Sequence, residues 1–230
     1  MEALLAFAAG LLTLRLAGNL ATHYRRNGRT ELALWSAGLA AYALACAALA
    51  WGAAAGWDGR AFRVYYLFGG LLTAPLLGAG SLVLSGRRWA IGVALVYAGL
   101  AIGIAAAVPL TAPVHGTAIP DARAHLDFLP ARLVAVLGNV LGTLALVAIA
   151  ALTFRRRPLG NALLIAGIAV AATGSALAGL GEAATSALIA VAAVLLYAGF
   201  VGRIPRPRYS RPWKSWSRSF STGSKRAGGL

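Results

Sequence analysis

The chain is poor in charge, and above all in acid. Its 230 residues include six Asp and Glu, and charged residues make up 12% of the total, roughly half the share of an ordinary soluble domain. The acids are Glu2, Glu31, Asp58, Asp121, Asp127 and Glu182, none of them in the middle of an apolar run, which argues against a carboxylate relay for protons or cations. Cys46 is the single cysteine, so intrachain disulfides and cysteine metal clusters are excluded. No histidine sits mid-run, so paired axial haem ligands inside the apolar part are unavailable. Ser81 and Ser186 lie in apolar runs without a base to activate them, and HGTAIPDARAHLD lacks the HExxH pattern of zinc proteases. The polar set Asp58, His115, Asp121, His125, Asp127 and Glu182 reads as solvated loop. No catalytic set, metal site or cofactor is expected.

What the chain has is apolar length. Hydrophobic residues reach 60% and mean hydropathy is +0.75, the composition of an all-α, polytopic membrane protein rather than a soluble one. A span needs about 20 residues at 1.5 Å each. On that scale helices are predicted at about Glu2–Tyr24, Glu31–Ala55 with Thr30 as N-cap, Arg63–Leu84, Trp89–Leu110 and Ala131–Phe154. A Pro- and His-containing loop precedes the fifth, and its PDARAHLDF segment is expected to form a short interfacial helix. The 47 residues from Pro158 to Ile204 hold two more helices, with GLGEAAT as the turn between them. The N-terminus is acidic and its basic cluster follows the apolar core, opposite to a secretory signal, so the first helix is read as uncleaved.

The expectation is a seven-transmembrane-helix bundle over residues 1–204, N-terminus outside and C-terminus cytoplasmic, with a disordered basic tail at 205–230. Arginine placement sets the orientation. Sixteen of the 21 basic residues fall on the inner side, among them Arg25, Arg26, Arg29, Arg87, Arg88 and Arg155–Arg157. Four fall outside, at Arg60, Arg63, Arg123 and Arg132, together with five of the six acids. Rich Ala, Gly and Arg usage fits a GC-rich bacterial genome, and hence a bacterial plasma (inner) membrane. A weak internal echo, Ala37-Gly38 and Ala166-Gly167 after arginine-rich loops, raises a 3+1+3 repeat, but Ala-Gly pairs are common here.

The third span is the most informative. It carries Arg63, Tyr65, Tyr66, Gly69, Gly70, Thr73 and Pro75. Pro75 is expected to kink it, with the freed carbonyl satisfied inside the bundle, or to open a ligand pocket beside the kink. The order of arginine, aromatics, Leu67, Thr73, Pro75, Leu76 and Leu77 resembles helix 3 of the microbial rhodopsins, over about 20 residues, and the predicted topology is similar too. That family binds retinal through a lysine of its seventh helix. Here SALIAVAAVLLYAGF has none, the only lysines are Lys214 and Lys225, and the third span has no carboxylate counterion. A retinal Schiff base in the usual position is chemically excluded.

Arg15 is the only ionisable residue deep in a predicted span, at a cost of about 2.5–3.5 kcal/mol on insertion scales. Asn19 and His23 follow on its face at i+4 and i+8. Either Arg15 snorkels to the inner headgroups, or the stripe lines a polar cavity for an anion or lipid headgroup. Tyr42, Tyr97, Asn139, Thr143, Thr173, Ser175 and Tyr197 read as interhelical hydrogen-bonding residues. In the tail, Arg206, Arg208, Arg211, Trp213, Lys214, Trp216 and Arg218 combine charge and aromatics without acid, a pattern suited to anionic lipid headgroups rather than nucleic acid.

These features predict a non-enzymatic protein that binds or transports a small apolar or amphipathic molecule. Tyr65, Tyr66, Thr73 and Pro75 are the expected contacts beside the kink, with Arg15 and Asn19 below. The alternative is a membrane sensor or scaffold acting through its tail.

Overall fold

The computed structural model describes residues 2–177 and 182–201. The described residues are helical, with no strand among them. The main elements are α1 (Glu2–Asn27), α2 (Thr30–Ala55), α3 (Gly59–Leu84), α4 (Trp89–Ala107), α5 (Phe128–Leu152), α6 (Pro158–Leu177) and α7 (Glu182–Val201). Five of them, α1 to α5, are long and apolar enough to cross a membrane, with hydropathies of 1.6 to 2.4. The shorter apolar helical stretches Pro158–Ala171 and Ala187–Phe200 lie in α6 and α7.

Local chemistry sets the helix ends. Gly28 and Gly56 end α1 and α2 at φ +63° and +91°, a backbone region where a side chain would be strained. The Asp58 carboxylate accepts from the backbone N–H groups of Arg60 and Ala61, so α3 begins at Gly59, a turn earlier than expected. Pro109 forces Val108 into an extended conformation and stops α4 at Ala107, short of the expected Leu110. Pro158 opens α6, where its missing N–H costs nothing. Thr30 is not the N-cap of α2 but its first residue. Arg29 takes the cap position and pairs with Glu31 at 2.6 Å. The PDARAHLDF segment contributes a single turn, Ala122–His125, capped by Asp121. Residues 178–181, which include the start of the GLGEAAT turn, and the tail beyond Val201 lie outside the described residues.

The helices pack as an antiparallel bundle. α1 lies between α2 and α7, α3 touches α2, α4 and α5, and α6 packs on α7. Small residues permit the close crossings. A Cβ on Gly78 would overlap the Gly142 backbone, and one on Gly142 would overlap the carbonyl of Ala74, so α3 and α5 meet backbone to backbone. Gly80 likewise makes room for the Trp35 indole.

Two cores result. Leu16, Leu20, Leu39, Leu77, Leu146, Leu164, Leu196 and Phe200 join around Trp35 towards the end that carries Arg25, Arg87 and Arg155. Trp35 and Phe200 meet edge to face at 5.3 Å. At the opposite end, Trp57, Phe62, Tyr66, Leu71, Ile104, Val114, Leu126 and Ala131 form the second core beneath the loop joining α4 to α5. The bundle thus has an arginine end and a loop end. Large apolar side chains outside the cores remain exposed, including Leu4, Phe7 and Leu11 on α1, Leu95 and Val96 on α4, and Leu137, Leu141 and Leu144 on α5. α4 is the outlying helix, with only 22% of its span buried. A surface of this kind suits hydrocarbon as solvent, where apolar exposure carries no penalty.

Candidate functional site

The irregular middle of α3 follows from Pro75. A proline inside a helix removes one donor and crowds the preceding turn. α3 answers by widening: Tyr66–Leu72 is π-helical, and regular α-helix resumes at Thr73. The carbonyls exposed by the change of register are then satisfied by side chains. Thr73 Oγ1 donates to the Phe68 carbonyl at 2.7 Å. The Gly70 carbonyl, five residues before Pro75, accepts from Asn139 Nδ2 of α5. The same Nδ2 donates to Ala135 in its own helix at 2.9 Å. The freed backbone is therefore closed by the bundle itself, as the packing reading of Pro75 requires.

The other intramembrane polar groups do similar work. Tyr66 Oη donates to the Ala131 carbonyl at 3.2 Å, and Tyr97 Oη to that of Val134 at 3.1 Å, both tying to α5. Tyr42 Oη reaches Ile189 of α7, Ser36 reaches Ala17 of α1, and Arg63 reaches Ala105 of α4 at 2.6 Å. Thr173 departs from the expectation: its hydroxyl bonds Ala169 in its own helix. The Ser175 side chain lies outside the described residues.

The six expected ligand contacts do not line one cavity. Tyr66 is buried, Tyr65, Thr73 and Pro75 are half-buried along α3, and Arg15 and Asn19 are exposed on α1. Beside Tyr66, a void lined by Phe62, Arg63, Ile104, Leu110 and Leu126 holds about 10 Å³, room for about one water. The tail residues Arg206, Arg208, Arg211, Trp213, Lys214, Trp216 and Arg218 lie outside the described residues.

A larger space opens at the loop end. A cleft of about 440 Å³ is lined by Trp57, Asp58, Gly59, Leu110, Thr111, Ala112, Pro113, Val114 and His115. One wall is the start of α3; the other is the segment after α4. The loop is pinned by hydrogen bonds. Trp57 N–H donates to Gly116 at 2.7 Å, Thr111 N–H to His125 at 3.0 Å, and Thr111 Oγ1 to Ala124 at 3.2 Å. An aromatic layer supports the cleft: Trp57 meets Tyr65 edge to face at 5.4 Å, and Phe62 lies between Tyr66 and His125. The Trp57 indole rests on Gly52 and is only 4% exposed. Its Nε1 donor has no hydrogen-bond partner among the described residues. A buried unpaired N–H of this kind costs about 1–3 kcal/mol.

Sequence reasoning did not single out Trp57, Thr111 or Pro113. Its available signal was a tryptophan immediately before an Asp helix cap, at the boundary of a predicted span. Among the described residues no group of three or more His, Cys, Asp or Glu gathers into a metal site.

The Pro75–Asn139 relation is testable by a double-mutant cycle. Asn139→Leu should destabilise the detergent-purified protein by about 1–2 kcal/mol. Pro75→Ala supplies a backbone donor and should recover part of that loss, giving a coupling of about 0.5–1.5 kcal/mol. Strictly additive effects on unfolding would contradict the assignment. Comparison of the chain with protein-family models, with curated proteins and with solved structures finds no match.

Proposed function

We propose that this chain is a seven-span bacterial plasma-membrane protein, N-terminus outside, that binds a small amphipathic molecule at its outer face. Five helices have the length and composition of spans. The added two, α6 and α7, are 20 residues each, about 30 Å long, and α7 packs on α1. Seven crossings with this orientation put Arg25, Arg26, Arg87, Arg88 and Arg155–Arg157 on the cytoplasmic side, in keeping with the positive-inside bias. The cleft then faces outward.

The observation that carries the binding reading is a cleft of about 440 Å³ lined in part by Trp57, whose buried Nε1 has no hydrogen-bond partner among the described residues. That volume falls in the range of small-molecule sites, and an apolar lining with few polar groups is the usual pattern. Asp58, Thr111 and His115 supply polarity at the rim, while Trp57, Leu110, Pro113 and Val114 supply apolar surface. A ligand with an apolar body and one acceptor oxygen matches this set. Tyr65 and Tyr66 support the cleft from beneath rather than touching the ligand. The filled core around Trp35 and Phe200 favours binding over passage through the bundle. The role is one of recognition, not catalysis. The basic, aromatic tail would hold to anionic inner-leaflet lipid at roughly 1 kcal/mol per basic residue near the surface.

Native mass spectrometry of protein purified from its own membranes tests the site. A discrete retained mass is expected for the wild type. Trp57→Phe keeps the ring, removes the donor, and should lower retention about tenfold, equivalent to about 1.4 kcal/mol. Bare protein, or equal retention by both, would sink the reading. Orientation is tested on intact cells in a Cys46→Ser background. A membrane-impermeant maleimide should label Thr117→Cys directly and Ser85→Cys only after permeabilisation; the reverse pattern would refute the N-outside topology.

A further inference from the structure

Arg15 lies near the midpoint of α1, with Glu2 at one end and Arg25 and Arg26 at the other. It is exposed, as are Leu11, Leu14, Gly18, Asn19 and Thr22 on the same side of the helix. The opposite side of α1 is occupied by α2 and α7. No ion pair or hydrogen bond to Arg15 occurs among the described residues, nor one to the Asn19 side chain. The Thr22 hydroxyl is turned back onto the Gly18 carbonyl at 2.9 Å. A methyl group added at Gly18 would meet nothing within 4 Å, so the surface beside Arg15 is open.

A guanidinium on the hydrocarbon-facing side of a span requires a partner. Snorkelling alone serves it poorly. The nearer end of α1 is the arginine end, ten residues and roughly 15 Å along the axis. The Cα–Cβ bonds of a helix tilt towards its N-terminus, away from that end. The chain cannot supply the counter-charge to itself. Its acids all lie at or near helix ends or in loops, and its tail has none. A second copy pairing symmetrically through this face would bring Arg15 against Arg15.

We propose that the exposed Arg15–Gly18–Asn19–Thr22 face of α1 docks a transmembrane helix of a different protein that carries an Asp or Glu near mid-span. The inference rests on α1 spanning the bilayer but not on the outer cleft. Charge complementarity identifies the partner: a carboxylate accepts two parallel N–H bonds from the guanidinium. Gly18 and Thr22, four residues apart, let a second helix approach closely, and Asn19 adds an interhelical hydrogen-bonding group.

The test reconstitutes the full chain in phosphatidylcholine vesicles with a fluorescent Leu/Ala helix of about 20 residues, bearing either one central Asp or Leu in its place. Energy transfer should report association of the Asp helix about tenfold tighter than that of the Leu helix. Arg15→Leu should abolish the difference, Arg15→Lys should keep part of it, and Gly18→Leu should weaken it by blocking approach. Equal association of the two helices, or an Arg15→Leu variant that still prefers the Asp helix, would overturn the proposal. So would loss of the preference on adding a few per cent of anionic lipid, which assigns Arg15 to a headgroup. Self-association of the wild type that excludes the Asp helix would assign the face to a second copy. Carbonate extraction of the protein from the same vesicles would instead overturn the spanning of α1.

Discussion

Everything in this bundle answers to one constraint: a backbone carbonyl cannot be left unpaired in a layer without water. Pro75 breaks that rule locally, and the geometry around it repairs the break. α3 widens over Tyr66–Leu72, Thr73 closes the Phe68 carbonyl, and Asn139 reaches across from α5 to close that of Gly70. The reach is short only because Gly78 and Gly142 let the two backbones meet. A side chain at either glycine would separate α3 from α5 and withdraw the Asn139 amide. The small residues and the polar residue are thus parts of one device.

The two ends of the bundle are built differently. Towards the arginine end, leucines from six helices enclose Trp35 and Phe200, and small residues such as Gly80 shape the space to the indole. At the loop end, the helices are finished by a long connection whose backbone is bonded to Trp57 and to itself. Connections of such length with little secondary structure tend to carry function. The cleft beside Trp57 lies there, and the aromatic layer of Tyr65, Phe62 and Tyr66 joins it to the wide turn of α3.

Helix boundaries were legible because the chain marks them chemically. Pro109, Pro158, Gly28 and Gly56 each end or begin a helix for reasons that act within a few residues, although the extent of α4 and the cap of α2 differed from expectation by a turn or less. That Pro75 would perturb α3 was also legible, as was the interhelical character of Asn139. Which carbonyl Asn139 serves was not, because the answer depends on a close crossing between α3 and α5. The cleft was hidden for the same reason: Trp57 and Pro113 are distant in sequence. Arg15 and Asn19 could be placed on one face of α1 by spacing alone. Whether that face turned inward or outward could not be read, because apolar residues surround the helix and give no amphipathic stripe to orient it.

The wide turn of α3 is a closed, anhydrous junction rather than a water-filled pocket. Hydrogen–deuterium exchange of the protein in bilayer nanodiscs tests it most directly. The amides of Leu67–Thr73 are expected to exchange as slowly as those of Leu39–Cys46 in regular α2, and Asn139→Leu should release them. Rapid exchange confined to Leu67–Thr73 in the wild type would mean that water reaches the turn and that the junction is open.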